Sequence, residues 1–195
     1  MVFKPLKLTD ILVTIVIAVV FAVVYKLWSP LYYAVKPWGF QIDQLIYPMW
    51  FMAATVAFLI IRKPGVALLA ELAAASGEFI TGSEWGVSVF MAGVLQGLFA
   101  ELVFAAFRYR SYSVTAASLA GAGAAVGSLL MDLYYNYIDD LSAWNVTLLL
   151  VCRMIGAVVI CGFFAYYLVK ALEATGVTKL VRPPSQADYD LLNRS

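Results

Sequence analysis

The chain has few charged residues and no histidine. Charged side chains make up 13% of its 195 residues, hydrophobic residues make up 64%, and the mean hydropathy is +0.88. A water-soluble domain normally has about a quarter of its residues charged. The chain cannot cover itself with a polar surface, so we expect it to be embedded in a lipid bilayer.

Missing residues and motifs exclude several kinds of chemistry. Without histidine the chain can form neither a Ser-His-Asp triad nor an HExxH metal site. The sequence contains no Walker motif for ATP hydrolysis. Cys152 and Cys161 are interpreted as apolar packing residues. We therefore expect a protein that is not an enzyme, has no cofactor or metal, and has no nucleic-acid partner.

The sequence does contain six apolar stretches, each about as long as a membrane-spanning helix. Alternating barrel strands would be about half as long, so the predicted fold is an all-α membrane protein with six transmembrane helices. The predicted spans are 8–28, 44–61, 64–82, 86–107, 113–137 and 144–171. Residues 1–171 would form one substrate-binding transmembrane domain, and residues 172–195 a short cytoplasmic tail.

The distribution of basic residues indicates how the spans are oriented. Ten of the thirteen lysines and arginines flank one set of span ends, two lie at the other set, and Arg153 lies inside a span. Three of the ten, Lys4, Arg182 and Arg194, lie near the chain ends. Basic residues favour the cytoplasmic side of a membrane. We therefore expect both termini to be cytoplasmic.

Polar residues inside the spans mark a candidate site, because a charge there costs about 2.5–3.5 kcal/mol on insertion scales. The polar candidates lie between the outer span ends and the midplane, and aromatic residues gather at the same end. Asn136 follows Asp132 by four residues, which predicts one helix face. We expect an outward-facing pocket for a small, flat, cationic ligand. The predicted substrate-binding residues are Trp38, Tyr47, Trp50, Glu78, Gln96, Asp132, Tyr135 and Asn136.

Three further charges have open interpretations. Arg153 either pairs with Asp132 or Glu78 or contacts the ligand. A structural or interface role is favoured for Glu71 and Glu101, which lie in the inner half of their spans. Alternatively, Glu71, Glu78 and Glu101 form the proton relay of a stand-alone secondary carrier for a small cationic metabolite. The absence of an obvious inverted repeat argues against such a carrier.

Three segments carry a resemblance to a known family. The first span contains an AxxxA pattern from Ala18 to Ala22, a spacing that lets helices pack closely. The segments 50–65 (WFMAATVAFLIIRKPG) and 93–104 (GVLQGLFAELVF) are more specific. With six predicted spans in 195 residues, the chain resembles the substrate-binding S components of energy-coupling factor (ECF) transporters. It is most similar to the YkoE family, which is assigned to thiamine and its hydroxymethylpyrimidine precursor.

The resemblance implies a division of labour between separate proteins. An S component binds its vitamin from outside, and a transmembrane coupling protein with two cytoplasmic ATPase subunits drives import. Ala18 and Ala22 match the helix face that docks on the coupling protein in that family. The alternative left open is that both alanines pack against helices of this same chain. The resemblance also implies a multi-pass protein of a bacterial or archaeal cell membrane.

Overall fold

The structure, a computed structural model, describes residues 5–181, and every regular element in that range is helical. The α-helices are α1 (Leu8–Val35), α2 (Asp43–Ile46), α3 (Met52–Ile61), α4 (Val66–Ile80), α5 (Ser88–Ala106), α6 (Val114–Tyr134), α7 (Ala143–Ala157) and α8 (Ala165–Ala174). Three 3-10 turns cover Lys36–Trp38, Tyr47–Phe51 and Val177–Leu180, and a π-helix, Val158–Phe164, joins α7 to α8. The predicted all-α class is confirmed.

Five stretches are long and apolar enough to cross a membrane within the described part of the chain. They are Leu8–Trp38, Asp43–Ile61, Ser88–Ala106, Val114–Tyr134 and Ala143–Ala174. Each coincides with one of the six predicted spans. The remaining predicted span, 64–82, contains α4, whose 15 residues extend over only about 22 Å. This helix is therefore shorter than the hydrocarbon core of a typical bilayer, which is about 30 Å thick.

The first helix is longer than predicted. α1 does not end at Trp28 but continues through Pro30 to Val35. A proline removes one backbone donor, and membrane helices tolerate this where neighbouring groups compensate for the lost hydrogen bond. Tyr32, which lies beyond the predicted end of the first span, is therefore helical and buried against Trp50, with ring centroids 5.1 Å apart.

The second span is not one continuous helix. Pro48 lies in the 3-10 turn Tyr47–Phe51 between α2 and α3, and Phe51 leaves helical geometry with φ −137° and ψ 20°. Every residue of α3 is buried, so this helix lies at the centre of the bundle. A helix that is apolar all round is suited to such a position.

Small residues allow several helices to pack closely. A methyl group added to Gly127 would lie 2.7 Å from the Leu95 carbonyl oxygen, and one on Gly123 would lie 3.0 Å from that of Phe99. Gly123 and Gly127 have the GxxxG spacing that lets helices approach closely, and the helix that α6 approaches here is α5. On α1, Ala22 lies directly against Gly77 of α4.

The sixth span and the C-terminal segment differ from the prediction in their boundary. The helix extends beyond Ala171 to Ala174, and a 3-10 turn follows at Val177–Leu180. The predicted tail, 172–195, therefore begins as helix. Its residues from 182 onward, including Arg182 and Arg194, lie outside the described range, as does Lys4. The division into a domain and a tail stays a prediction.

The connections between helices collect at two ends of the bundle. At one end, Lys63 donates a hydrogen bond to the Asp10 carboxylate, and Arg62 Nη2 lies 3.2 Å from Glu173 Oε1. We call this the closed end, because the buried rings of Phe58 and Phe104 fill the interior of the bundle there and stack with centroids 3.8 Å apart. The connections 36–42, 81–87 and 135–142 lie at the other end, which we call the cavity end.

Candidate functional site

A cavity of about 380 Å³ lies between the helices at the cavity end. Parts of α1, α2, α4, α5, α6 and α7 contribute to its wall, together with the turn Tyr47–Phe51. Its volume falls within the range of small-molecule pockets, about 300–1,000 Å³. The wall combines aromatic rings with carboxylates, amides and one buried arginine.

The structure brings six of the eight predicted substrate-binding residues to this cavity. They come from four separate parts of the chain, so tertiary packing brings them together. The six are Tyr47, Trp50, Glu78, Gln96, Asp132 and Tyr135. Glu78, Gln96 and Asp132 are buried in the protein and still reach the cavity surface. Contact of these residues with a substrate stays a prediction.

Trp38 and Asn136 do not line the cavity. Trp38 lies in the 3-10 turn after α1 with 68% of its surface exposed. The expectation that Asn136 shares a helix face with Asp132 is wrong, because α6 ends at Tyr134. Asn136 adopts a left-handed conformation, φ 57°, just after the helix. Asparagine tolerates this conformation, which is common just after the end of a helix.

Three aromatic rings form one side of the cavity. Tyr32, Tyr47 and Trp50 contact one another edge to face, with centroids 5.1–6.2 Å apart. Tyr135 and Tyr137 also line the cavity, and their rings stack with centroids 5.7 Å apart. Aromatic faces attract cations and stack on flat rings, so this side suits a planar ligand with positive charge.

Arg153 is the buried cation of the cavity, and its partner is Asp132. Its Nη1 lies 2.5 Å from Asp132 Oδ2 and 3.0 Å from Ser128 Oγ. Its guanidinium carbon lies 4.0 Å from the ring centroid of Tyr47. Glu78, the other partner considered from the sequence, forms no ion pair with Arg153. Arg153 also lines the cavity, so its ion pair with Asp132 does not prevent it from contacting a ligand there.

Gln44 completes this polar network and was missed from the sequence. Its side-chain oxygen accepts hydrogen bonds from Arg153 Nε at 3.0 Å and Nη2 at 2.5 Å. Its amide nitrogen donates to Tyr32 Oη and to Asp43 Oδ2. Gly156 permits the approach of α7 to α2, because a methyl group there would overlap the Leu45 carbonyl. The signal was a glutamine at the start of an apolar span.

Trp50 and Glu78 keep unused hydrogen-bonding capacity at the cavity wall. The indole Nε1 of Trp50 is buried and makes no hydrogen bond of normal geometry among the described residues, although it lies close to the Glu78 carboxylate. The hydrogen bond found at the Glu78 carboxylate comes from Ser83 Oγ at 3.3 Å, a long distance for such a bond. A buried donor without a partner is costly. A ligand carrying both an acceptor and a donor would therefore satisfy groups that the protein leaves available.

Glu71 lies away from the cavity lining and caps a helix. Its Oε2 accepts the backbone N–H of Ala54 at 3.0 Å, near the N-terminus of α3, and the Tyr25 hydroxyl donates to the same carboxylate at 3.0 Å. Tyr25 Oη in turn accepts the backbone N–H of Ala53 at 3.1 Å. The first amides of a helix lack partners within the helix. The structural role favoured for Glu71 is what the structure shows.

Glu101 performs the same task at the closed end. Its two oxygens accept the backbone N–H groups of Gly65 at 2.6 Å, Ala67 at 3.0 Å and Leu68 at 3.2 Å, at the start of α4. Burial and the nearby Glu101 carboxylate raise the pKa of Tyr109 to about 12. A carboxylate at a helix N-terminus is also favoured by the helix dipole. Two of the three carboxylates considered for a proton relay, Glu71 and Glu101, are thus bonded to backbone amides.

The donor set of the cavity suits an organic ligand. Its acidic groups, Asp43, Glu78 and Asp132, are accompanied by amide and aromatic side chains. Within residues 5–181, no three His, Cys, Asp or Glu side chains lie together in a way that could hold a metal ion. Asp43 and Tyr32 were not among the predicted residues. They were missed because α1 was expected to end before Tyr32 and the second span to begin after Asp43.

Comparisons with known proteins agree with these features. Residues 9–127 match the family model described as ABC-type cobalt transport system, permease component. The chain is 35% identical over 175 residues to YkoE of Bacillus subtilis (strain 168), named as an HMP/thiamine permease protein, covering 89% of this chain and 88% of that one. A crystal structure of an S component of an ECF transporter superposes with a TM-score of 0.86 at 32% identity, covering 97% of this chain and 95% of the other. The chain is therefore a multi-pass membrane protein that belongs to the S components of ECF transporters, in the YkoE family.

Proposed function

We propose that this S component binds thiamine or its hydroxymethylpyrimidine precursor in the cavity described above. The observation that carries the proposal is the pairing of an aromatic wall, Tyr32, Tyr47 and Trp50, with the incompletely bonded carboxylate of Glu78. The name of the relative from Bacillus subtilis supports the choice of ligand. The volume of about 380 Å³ is sufficient for a vitamin-sized molecule.

The chemistry of the ligand matches these groups. An aminopyrimidine ring stacks on tyrosine or tryptophan, and its amino group donates to a carboxylate such as Glu78. A ring nitrogen of the pyrimidine accepts the N–H of Trp50, which lies beside Glu78. The thiazolium of thiamine is a cation, and it is attracted by aromatic faces and by acids such as Asp43. Hydroxymethylpyrimidine lacks that cation, so thiamine makes contacts with the cavity wall that hydroxymethylpyrimidine does not make.

We also propose six membrane crossings with both termini in the cytoplasm and the cavity facing outward. The closed end carries Arg62, Lys63, Arg108 and Arg110 in its connections, which supports a cytoplasmic location. α4 provides the additional crossing; short spans are accommodated by local thinning of the bilayer. The host membrane is a bacterial or archaeal cell membrane.

Delivery of the ligand requires partners in this proposal, namely a transmembrane coupling protein and two cytoplasmic ATPase subunits. Docking through Ala18 and Ala22 carries a structural condition. Both alanines are buried within the chain, at 4% and 5% exposure, and Ala22 packs against Gly77. A partner reaches them only if α1 separates from α4. Otherwise it contacts the exposed aliphatic face of α1, which includes Val19 and Val23.

Calorimetric titration of the purified full chain tests the binding proposal. We expect heat of binding with thiamine or hydroxymethylpyrimidine in the absence of ATP, and we expect the bound vitamin to be found by mass spectrometry of the purified protein. Absence of both signals would reject the proposed ligands. Uptake that collapses directly with the proton gradient, without a coupling protein, would favour the secondary carrier instead.

A further inference from the structure

The start of α3 is held by side chains from two other helices. The amide of Ala53 donates to Tyr25 of α1, and the amide of Ala54 donates to Glu71 of α4. Tyr25 and Glu71 are bonded to each other, and both are fully buried. Neither lines the cavity. These bonds therefore join α1, α3 and α4 at one buried point.

This point lies next to the segment that carries two cavity residues. The turn Tyr47–Phe51 places Tyr47 and Trp50 in the cavity wall, and Ala53 follows Trp50 by only three residues. Phe51 has φ −137° and ψ 20°, outside α-helical geometry, so the α-helical hydrogen bonds of α3 do not continue into the turn. The backbone link is a 3-10 bond from the Met52 N–H to the Met49 carbonyl. The bonds from Tyr25 and Glu71 supply an external anchor immediately after the break.

We propose that Glu71, together with Tyr25, is a positioning residue for the ligand cavity. It fixes the start of α3 and thereby the orientation of the Tyr47 and Trp50 side chains, without touching the ligand. The inference rests on the proposed function of the cavity. It assigns to Glu71 a role that neither a proton relay nor general helix stabilisation requires.

The chain contains a matched control in Glu101. This carboxylate is also buried and also caps a helix N-terminus, through Gly65, Ala67 and Leu68. It lies at the closed end, and the nearest cavity residue on α4, Ala75, follows the last capped residue, Leu68, by seven positions. Loss of a cap at Glu101 should therefore reduce stability without changing the cavity.

The experiment compares Glu71→Ala and Glu71→Gln with Glu101→Ala and Glu101→Gln in the full-length protein. We expect both alanine variants to unfold at a lower temperature. We expect only Glu71→Ala to bind thiamine about tenfold or more weakly, since a buried amide left without its partner shifts the turn. Glu71→Gln keeps one acceptor oxygen and should recover part of the affinity.

Hydrogen exchange gives a readout that does not need the ligand. Hydrogen exchange of the backbone amides in residues 47–54 should become faster in both Glu71 variants and remain unchanged in the Glu101 variants. In the Glu101 variants, exchange should instead become faster in residues 65–68. If Glu71→Ala fails to fold, Tyr25→Phe, which removes only the hydroxyl, is measured with Glu71→Gln. Unchanged exchange at 47–54 in folded Glu71 or Tyr25 variants would overturn the inference.

The binding data distinguish this inference from the proposed function. Equal loss of affinity in the Glu71 and Glu101 variants, at equal loss of stability, also overturns the positioning role. If the wild-type protein binds neither thiamine nor hydroxymethylpyrimidine, the proposed function fails, and hydrogen exchange alone decides whether Glu71 holds the turn.

Discussion

Two arginines of this protein make the same pair of contacts in different surroundings. At the closed end, Arg62 lies 3.2 Å from Glu173 and 4.4 Å from the ring centroid of Tyr112. At the cavity end, Arg153 lies 2.5 Å from Asp132 and 4.0 Å from the ring of Tyr47. The side chain of Arg62 is 34% exposed, whereas that of Arg153 is 2% exposed.

The difference in exposure changes what each arginine needs. A partly exposed ion pair adds little to the stability of the fold, because water or lipid headgroups can replace either partner. A buried guanidinium must have its donors satisfied within the protein, and Arg153 therefore also bonds Gln44 and Ser128. The buried pair thus organises the cavity wall, and the exposed pair links the closed end to α8.

The largest expected effect comes from removing one member of the buried pair. Arg153→Met should lower the free energy of unfolding by about 3–5 kcal/mol, because Asp132 is left charged and unpaired. The matched substitution Arg62→Met should lower the free energy of unfolding by about 1 kcal/mol or less. Thermal unfolding in detergent measures both. The double variant Arg153→Met with Asp132→Leu should recover stability; no recovery, or equal losses for the two arginines, would contradict the comparison.

A smaller loss of stability is expected from Ala22→Trp. The bulky ring has to fit where Ala22 contacts Gly77, and overpacking of this kind costs about 1–3 kcal/mol. Stability and thiamine binding should fall together, whereas Val19→Trp, at a position 60% exposed, should leave both unchanged. Retained binding combined with lost pull-down of the coupling protein in Ala22→Trp would show instead that this face docks the partner.

Glu78→Gln should change binding more than stability. A charge-assisted hydrogen bond is about twice as strong as a neutral one, so we expect thiamine to bind about tenfold more weakly. The thermal unfolding temperature should hardly change, because the hydrogen bond from Ser83 is long. Gln96→Ala should weaken binding in the same direction. The control is Glu84→Gln, an exposed acid at the same end; an equal effect there would indicate a general charge effect.

The smallest effect is expected at Trp38. Trp38→Phe should alter thiamine affinity by no more than about twofold, as is usual for exposed positions. Trp50→Phe removes the unpartnered indole N–H from the cavity wall and should weaken binding clearly. Calorimetry of the two variants compares tryptophans that lie at the same end of the bundle. A larger loss at Trp38 would place the ligand outside the cavity.

Depth along the helices was predictable from the sequence. Position within each span placed Glu78, Gln96 and Asp132 between the outer span ends and the midplane, and all three line the cavity. The GxxxG spacing of Gly123 and Gly127 is visible in the sequence, and it coincides with the close contact between α6 and α5. Asn136 was misplaced because a spacing argument assumes that the helix continues, and α6 ends at Tyr134.

The low charge and the long apolar stretches determined by themselves that this protein is helical and embedded in a membrane, because its backbone groups must be bonded within each span. Only the tertiary structure decided that Arg153 pairs with Asp132 and Gln44, that Glu71 and Glu101 cap helices, and that Ala18 and Ala22 are buried within the chain. Residue spacing sets height along a helix. The rotation of each helix and its choice of neighbour depend on side-chain packing between segments that are far apart in the chain.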